Sequence, residues 1–111
     1  MTAEDDASFT IEVVHEEVDG QPVAELRLHG ELDTFASARF DETLEEIVTA
    51  GAKSIVIDIE AVSFIDSSGL RSLVRARQRF PAADAFALRN PQPVAVRLLE
   101  ITGLHDHFPI R

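Results

Sequence analysis

The residues best placed to do chemistry are two adjacent serines behind an aspartate, Asp66-Ser67-Ser68-Gly69. They follow an apolar run that closes on Phe64-Ile65, and they precede Leu70, Leu73 and Val74 at helical spacing. They therefore stand where a strand hands over to a helix. Such a junction gives them an ordinary structural role. Asp66 or Ser67 is the N-cap, its side-chain oxygen accepting from the free N–H groups of the first turn. Capping does not account for Gly69. Glycine inside a first helical turn costs roughly 0.5–1 kcal/mol against alanine, which points to close approach by another backbone or by a partner surface. The junction also has a chemical property. A helix N-terminus carries partial positive charge and undirected N–H donors, so it accommodates an anion. A phosphate esterified to a serine here would be tolerated by the fold, and it would add about −1.5 to −2 charges and three acceptor oxygens at the surface. Asp66 adjoins that position, and Asp33 does so too if the preceding strand ends on the same edge. Like charges opposed across an interface cost several kcal/mol, and about 1.4 kcal/mol is tenfold in affinity. That suffices for a switch without a large change of fold.

Other chemistries find less support. A serine hydrolase needs a nucleophile, a base and an orienting group, and the G-x-S-x-G elbow is missing because Ile65 stands two residues before Ser67. A phosphoaspartate receiver would use Asp58, but no acidic cluster with a lysine accompanies it; Lys53, the sole lysine, precedes it. His105 and His107 flank Asp106 without a recognised metal-ligand pattern, and His15 and His29 fit strand ends. With no cysteine, thiolate metal sites, disulfides and cysteine nucleophiles are excluded. No catalytic residue, metal or cofactor is expected.

The elements that position the junction can be read from periodicity. Phe9, Ile11 and Val13 alternate with Thr10, Glu12 and Val14, and Ala24, Leu26 and Leu28 alternate with Glu25 and Arg27. Asp19-Gly20 between them signals a hairpin turn. Thr34 or Asp33 caps a helix running to about Ala50, with Phe40, Leu44, Ile47 and Val48 inward and Gly51 as its stop. Ile55-Val56-Ile57 with Ile59 reads as a central strand covered on much of both faces, Asp58 falling near its end. A second helix is predicted over about Ser67 to Arg79, ended by Phe80 and Pro81. Ala85 to Leu88 reads as a short strand. Pro91 and Pro93 open a third helix with Val94, Leu98 and Ile101 as its stripe and Gly103 at its end. Phe108 and Ile110 suggest a last short strand. The predicted fold is α/β: one mixed β-sheet of four to five strands, opening with a β-hairpin, with helices packed on it. Residues 1–7 read as a flexible acidic N-terminus and 8–111 as the single domain.

The 111 residues carry a net charge of −10. A nucleic-acid partner is therefore not expected, since phosphate binding wants a basic surface. The charge is lopsided: sixteen acids and three bases in residues 1–60, four acids and seven bases in residues 61–111. Four of those bases, Arg71, Arg75, Arg77 and Arg79, fall in the second helix. The acidic half is either solvated surface or a face that steers a basic protein partner. No apolar run reaches membrane-spanning length and no apolar signal core stands at the N-terminus, so a cytoplasmic location and no membrane contact are the expectations. The oligomeric state is open from sequence, with a monomer as the default.

Three segments in order carry a resemblance that covers roughly Phe9 to Ile110. Asp66-Ser67-Ser68-Gly69-Leu70 resembles the phosphorylation motif of STAS-domain anti-sigma-factor antagonists. His29-Gly30-Glu31-Leu32-Asp33 is similar to the G-E-L-D segment closing that family's hairpin, and Asn90-Pro91 with Val94, Leu98-Leu99, Thr102-Gly103-Leu104 and Phe108 to its C-terminal helix and exit. The glycine-rich turn many relatives carry before the fourth strand is absent from Pro81 to Ala85, and the arginine-rich second helix is not a family requirement. The resemblance implies a non-enzymatic binding switch. The unmodified protein binds an anti-sigma factor of the serine-kinase type and so releases a sigma factor. That kinase phosphorylates the first serine of the motif, which abolishes binding, and a protein phosphatase restores it. By position the phosphoacceptor is Ser67, with Asp33, Asp66, Ser68 and Gly69 in the partner-binding edge. ATP and Mg²⁺ belong to the kinase. The alternative is a non-switching STAS module acting as a scaffold in a larger complex.

Overall fold

The computed structural model describes residues 9–111; the sequence-predicted acidic segment 1–7 and the domain's first residue lie outside them. Two antiparallel strands open the fold, β1 (Phe9–Val18) and β2 (Gln21–Leu32). Their two-residue turn places both Asp19 (φ 54°) and Gly20 (φ 80°) in the left-handed region, the geometry for which Asp-Gly is selected. Helix α1 (Thr34–Thr49) then leads to β3 (Ser54–Ile65), which pairs parallel to β2. Helix α2 (Ser67–Arg79) leads to β4 (Phe86–Arg89), parallel to β3. Helix α3 (Pro93–Thr102) and a single 3-10 turn, His105–His107, finish the chain. The sheet order is β1-β2-β3-β4.

One core organises all of this. Leu26, Leu28, Ile55, Ile57, Ile59 and Leu88 point to one sheet face, where they meet Phe40, Leu44 and Ile47 of α1, Leu70, Leu73 and Ala76 of α2, and Ala95 and Leu99 of α3. The opposite face carries Val14, Glu25, Arg27, Val56, Asp58 and Arg89, none of which belongs to that core. Alternation in β3 holds from Ser54 to Ile59 and then slips, the next buried residue being Val62, where the register with β2 shifts; its second face is only half-buried rather than covered. Asp58 therefore sits within the strand, not near its end: on the open face its carboxylate keeps contact with solvent, so it need not interrupt the ladder.

Two more expectations shift. The buried stripe of α3 is Ala95 and Leu99; of the predicted residues Leu98 is half-buried against the core, while Val94 and Ile101 are exposed. Apolar residues occupy more of this helix than one buried face requires, so period alone cannot select the ridge that faces inward. The fifth strand shrinks to one parallel bridge, Leu88 with Ile110, held by Leu88 N to Pro109 O at 2.8 Å and Arg111 N to Leu88 O at 2.9 Å. Pro109 has no N–H to extend the pairing.

Candidate functional site

The site is built by the parallel register of the two central strands. Leu32 and Ile65 are partners, and each is the last residue of its strand. The residues that follow, Asp33 and Asp66, are thus carried side by side to the mouths of α1 and α2. Both are N-caps. Asp33 Oδ1 accepts from Ala36 N at 3.0 Å, and Asp66 Oδ1 accepts from Gly69 N at 3.0 Å. Their backbones are nearly identical, φ −101° with ψ −165° and −174°. Asp66 N also donates to Leu32 O at 3.3 Å, which ties one junction to the other. Of the alternatives open from sequence, the aspartate is the cap in each case, and this leaves Thr34 and Ser67 as first helical residues.

Gly69 is where the second helix presses on the end of β2. A Cβ added there would stand 2.3 Å from the carbonyl oxygen of Leu32, 2.7 Å from Leu32 Cγ and 3.2 Å from Ile65 Cγ2. No side chain fits against a backbone oxygen at that distance. The close approach is therefore made by the chain's own backbone, and Gly69 is buried beneath the mouth rather than displayed on it.

The hydroxyls divide in function. Ser68 is half-buried, and its Oγ lies 3.2 Å from Thr34 Oγ1 across the two helix mouths. Ser67 is exposed, and among the described residues its hydroxyl has no hydrogen-bond partner. Of the two serines in the motif, Ser67 is thus the one whose hydroxyl the fold leaves unused, at the one end of α2 where N–H groups are free to meet an anion.

Two aromatic side chains flank the mouths. Phe35 in the first turn of α1 is 84% exposed, and Phe64, two residues before Asp66, is 46% exposed. From Phe64 an apolar groove continues between the end of β3 and α3, lined by Ile65, Val94, Leu98 and Ile101 with Arg97 at its side. Sequence reading did not single out either phenylalanine as a surface group. For Phe35 a signal existed: it falls one position ahead of the buried stripe Ala36, Phe40, Leu44, Ile47, out of phase with it.

The remaining candidates stay apart from this edge. His105 and His107 are both exposed on the 3-10 turn, with His105 Nδ1 3.5 Å from Asp106 Oδ1. His15 and His29 are exposed within β1 and β2 rather than at strand ends. Among the described residues no group of three or more His, Cys, Asp or Glu is placed to hold a metal ion, and no helix is long and apolar enough to cross a membrane.

The family model described as the STAS domain matches residues 13–111. The chain is 29% identical over 108 residues to the anti-sigma-F factor antagonist RsfB of Mycobacterium tuberculosis, covering 97% of this chain and 84% of that protein. It is 32% identical over 84 residues to the anti-sigma-B factor antagonist of Staphylococcus aureus, covering 74% of this chain and 77% of that one. Among solved structures, an anti-sigma factor antagonist from Mycobacterium paratuberculosis superimposes with a TM-score of 0.74 at 27% identity, over 91% of this chain and 85% of the other.

Proposed function

This chain belongs to the STAS-domain family, and from that premise we propose that it is an anti-sigma-factor antagonist switched by phosphorylation of Ser67. The observation that carries the reading is the Ser67 hydroxyl itself. It is exposed and, among the described residues, free of internal hydrogen bonds, while its neighbours are committed: Asp66 to Gly69 N and Ser68 to Thr34. What distinguishes Ser67 from the equally unpaired Ser37 and Ser72 hydroxyls is exposure: those two are buried, and a kinase must reach the hydroxyl it modifies.

In the unmodified state the partner, an anti-sigma factor of the serine-kinase type, docks over the two helix mouths. Phe35 and Phe64 supply exposed apolar anchors on either side of Ser67. Asp33, Asp66 and Ser68 give the polar centre its shape, and Gly69 lets α2 seat on β2 beneath them. Docking occupies the anti-sigma factor and frees the sigma factor. The kinase then transfers the γ-phosphoryl group of its own ATP. The bond from that phosphorus to the bridging oxygen of ADP breaks, the Ser67 Oγ–P bond forms, and the hydroxyl proton leaves to a base on the kinase. A phosphatase reverses the change by adding water across the Oγ–P bond, which releases inorganic phosphate.

The phosphorylated mouth repels the partner for two physical reasons. Docking would have to strip water from a dianion, and taking charge out of water is costly even where it is paired. The dianion also joins Asp33 and Asp66 in one negative cluster, which opposes any acidic group of the partner. The fold itself tolerates the modification because it falls at a helix N-terminus. The chain acts as a cytoplasmic monomer between kinase and phosphatase, and it performs no catalysis.

The test is to capture partners with the full chain as bait and to map phosphorylation on the recovered bait. We expect an anti-sigma kinase in the captured set and phosphate on Ser67. Ser67→Ala should bind that kinase and resist switching off. Equal affinity of Ser67→Ala and Ser67→Glu, or modification confined to other residues, overturns the switch and leaves a constitutive scaffold module.

A further inference from the structure

We propose that Arg71 is the chain's own receptor for a phosphoryl group on Ser67; the inference rests on Ser67 being the phosphoacceptor. Helix α2 carries four arginines, and three are committed to the fold. Arg75 pairs with Asp41 at 2.8 Å and Arg79 pairs with Glu45. Arg77 donates to the carbonyl oxygens of His107 at 3.1 Å and Phe80 at 2.8 Å. Arg71 is exposed, and among the described residues it has neither a hydrogen bond nor an ion pair.

The pairing of α1 with α2 explains why this cation is left over. Thr34 meets Ser68, Asp41 meets Arg75 and Glu45 meets Arg79, each pair 34 positions apart. Arg71 is therefore level with Ser37 and Ala38, which offer no carboxylate. The ion-pair ladder stops two turns short of the helix mouth, with Arg71 left between.

Geometry supplies the partner instead. Ser67 and Arg71 are four residues apart on an unbroken helix, so their Cβ atoms are neighbours at roughly 5–6 Å. Helical side chains lean toward the N-terminus and cover the turn before their own Cα. Arg71 therefore leans over the turn that begins at Ser67. A planar guanidinium can hold two phosphate oxygens at once, and the free N–H groups of the first turn face the same anion. The charged groups near that point are Asp66 and Asp33, each with one oxygen already taken by a backbone N–H. They oppose the dianion, and Arg71 is the cation placed to offset them.

The clamp changes what phosphorylation does. In the hydroxyl state the first turns of α2 display a cation that has no partner among the described residues. In the phosphoryl state that cation is folded onto the phosphate. The modification thus withdraws a positive group from the docking surface as well as adding a negative one, and it holds the phosphate in its dianionic form.

The test is the second ionisation of phosphoserine, read by ³¹P NMR titration of the full chain with phosphoserine installed genetically at position 67. We expect Arg71→Gln to raise that pKa by about 0.3–1 unit against the parent. Arg71→Lys should recover part of the shift, because charge returns without the planar fork. Arg75→Gln, two turns down the helix, should leave the titration in place. Identical titrations of the parent and Arg71→Gln overturn the clamp. No kinase is needed to prepare the sample, so that result counts against Arg71 alone, whereas failure of a kinase to modify Ser67 counts against the switch.

Discussion

Two charged regions of this molecule obey opposite rules. On the open face of the sheet the charges are matched. Glu25, 7% exposed, accepts from Arg27 Nε at 3.2 Å and Nη2 at 3.4 Å, and from Arg89 Nη1 at 3.5 Å. Arg27 also reaches Glu12 at 3.8 Å, and its guanidinium is held above its ordinary pKa, chiefly by the hydrogen bond to Glu25. Asp58 accepts from Asn90 Nδ2 at 3.3 Å and Glu60 N at 2.9 Å. At the helix mouths the fold uses what it needs for capping and leaves the Ser67 hydroxyl and Arg71 without partners among the described residues, on the edge that also exposes Phe35 and Phe64. Buried or half-buried polar groups that are fully paired hold a structure together. Exposed ones that serve nothing inside are free for something outside. Substitutions in the first region should therefore alter stability and not docking, and those in the second should do the reverse.

The largest effect tests the second half of that rule. Ser67→Asp should weaken partner binding by about 100-fold, on the scale of a single like charge set against an interface. The same variant should unfold at the parent's temperature, because an acidic residue in a first helical turn is favourable. Calorimetric binding and thermal melts on one sample read both. A large drop in melting temperature would make Ser67 part of the fold and erase the contrast between the regions.

Gly69→Ala sharpens the contrast by drawing its boundary inside the mouth. The added Cβ would meet the Leu32 carbonyl oxygen at 2.3 Å, and a backbone oxygen cannot swing aside as a side-chain tip can. Overpacking of this kind costs about 1–3 kcal/mol. We expect that loss in chemical denaturation, with weaker docking following from a displaced α2. Unchanged stability would mean that α2 can lift off β2 freely.

How much of the fold and the site is legible in the sequence depends on the range of the interaction. Local signals read well. Asp19-Gly20 marks the hairpin turn, and the Ser67 to Arg79 helix is bounded as its capping aspartate and Pro81 indicate. Close approach by a backbone is a legible reason for Gly69, since glycine in a helix needs one. What is not legible requires the β2/β3 register. Nothing in the sequence tells that Thr34 and Ser68, 34 residues apart, share a hydrogen bond, or that the same offset neutralises Arg75 and Arg79 and strands Arg71. The α3 stripe fails for a different reason. Val94, Ala95, Leu98, Leu99 and Ile101 satisfy two adjacent ridges equally, and only the packed partner chooses between them.

Glu25→Gln probes the first region with a smaller effect. The amide keeps the shape and one acceptor oxygen but removes the charge that faces Arg27 and Arg89. Both arginines remain partly in solvent, side chains 45% and 41% exposed, so neither is stranded. The expected loss is about 1 kcal/mol in denaturation, with partner affinity unchanged. A binding defect larger than the stability defect would show that the open face also docks a partner, and the division of labour between the two regions would fall.

The smallest effect separates two roles carried by one residue. Asp33 both caps α1, through Ala36 N, and lends its charge to the edge around Ser67. Asparagine caps about as well as aspartate, whereas alanine costs about 1 kcal/mol at an N-cap. Asp33→Asn should therefore hold stability within a few tenths of a kcal/mol of the parent, a margin set by capping equivalence. Asp33→Ala should lose about the full cap. If the carboxylate charge matters to docking, both variants shift affinity together, by less than about tenfold for one partly solvated charge. If only the cap matters, Asp33→Ala alone weakens docking, because a frayed α1 releases Phe35 and Thr34 from their places. Side-by-side denaturation and binding of the two variants thus decide whether Asp33 meets the partner with its charge or only holds the first turn of α1 that does.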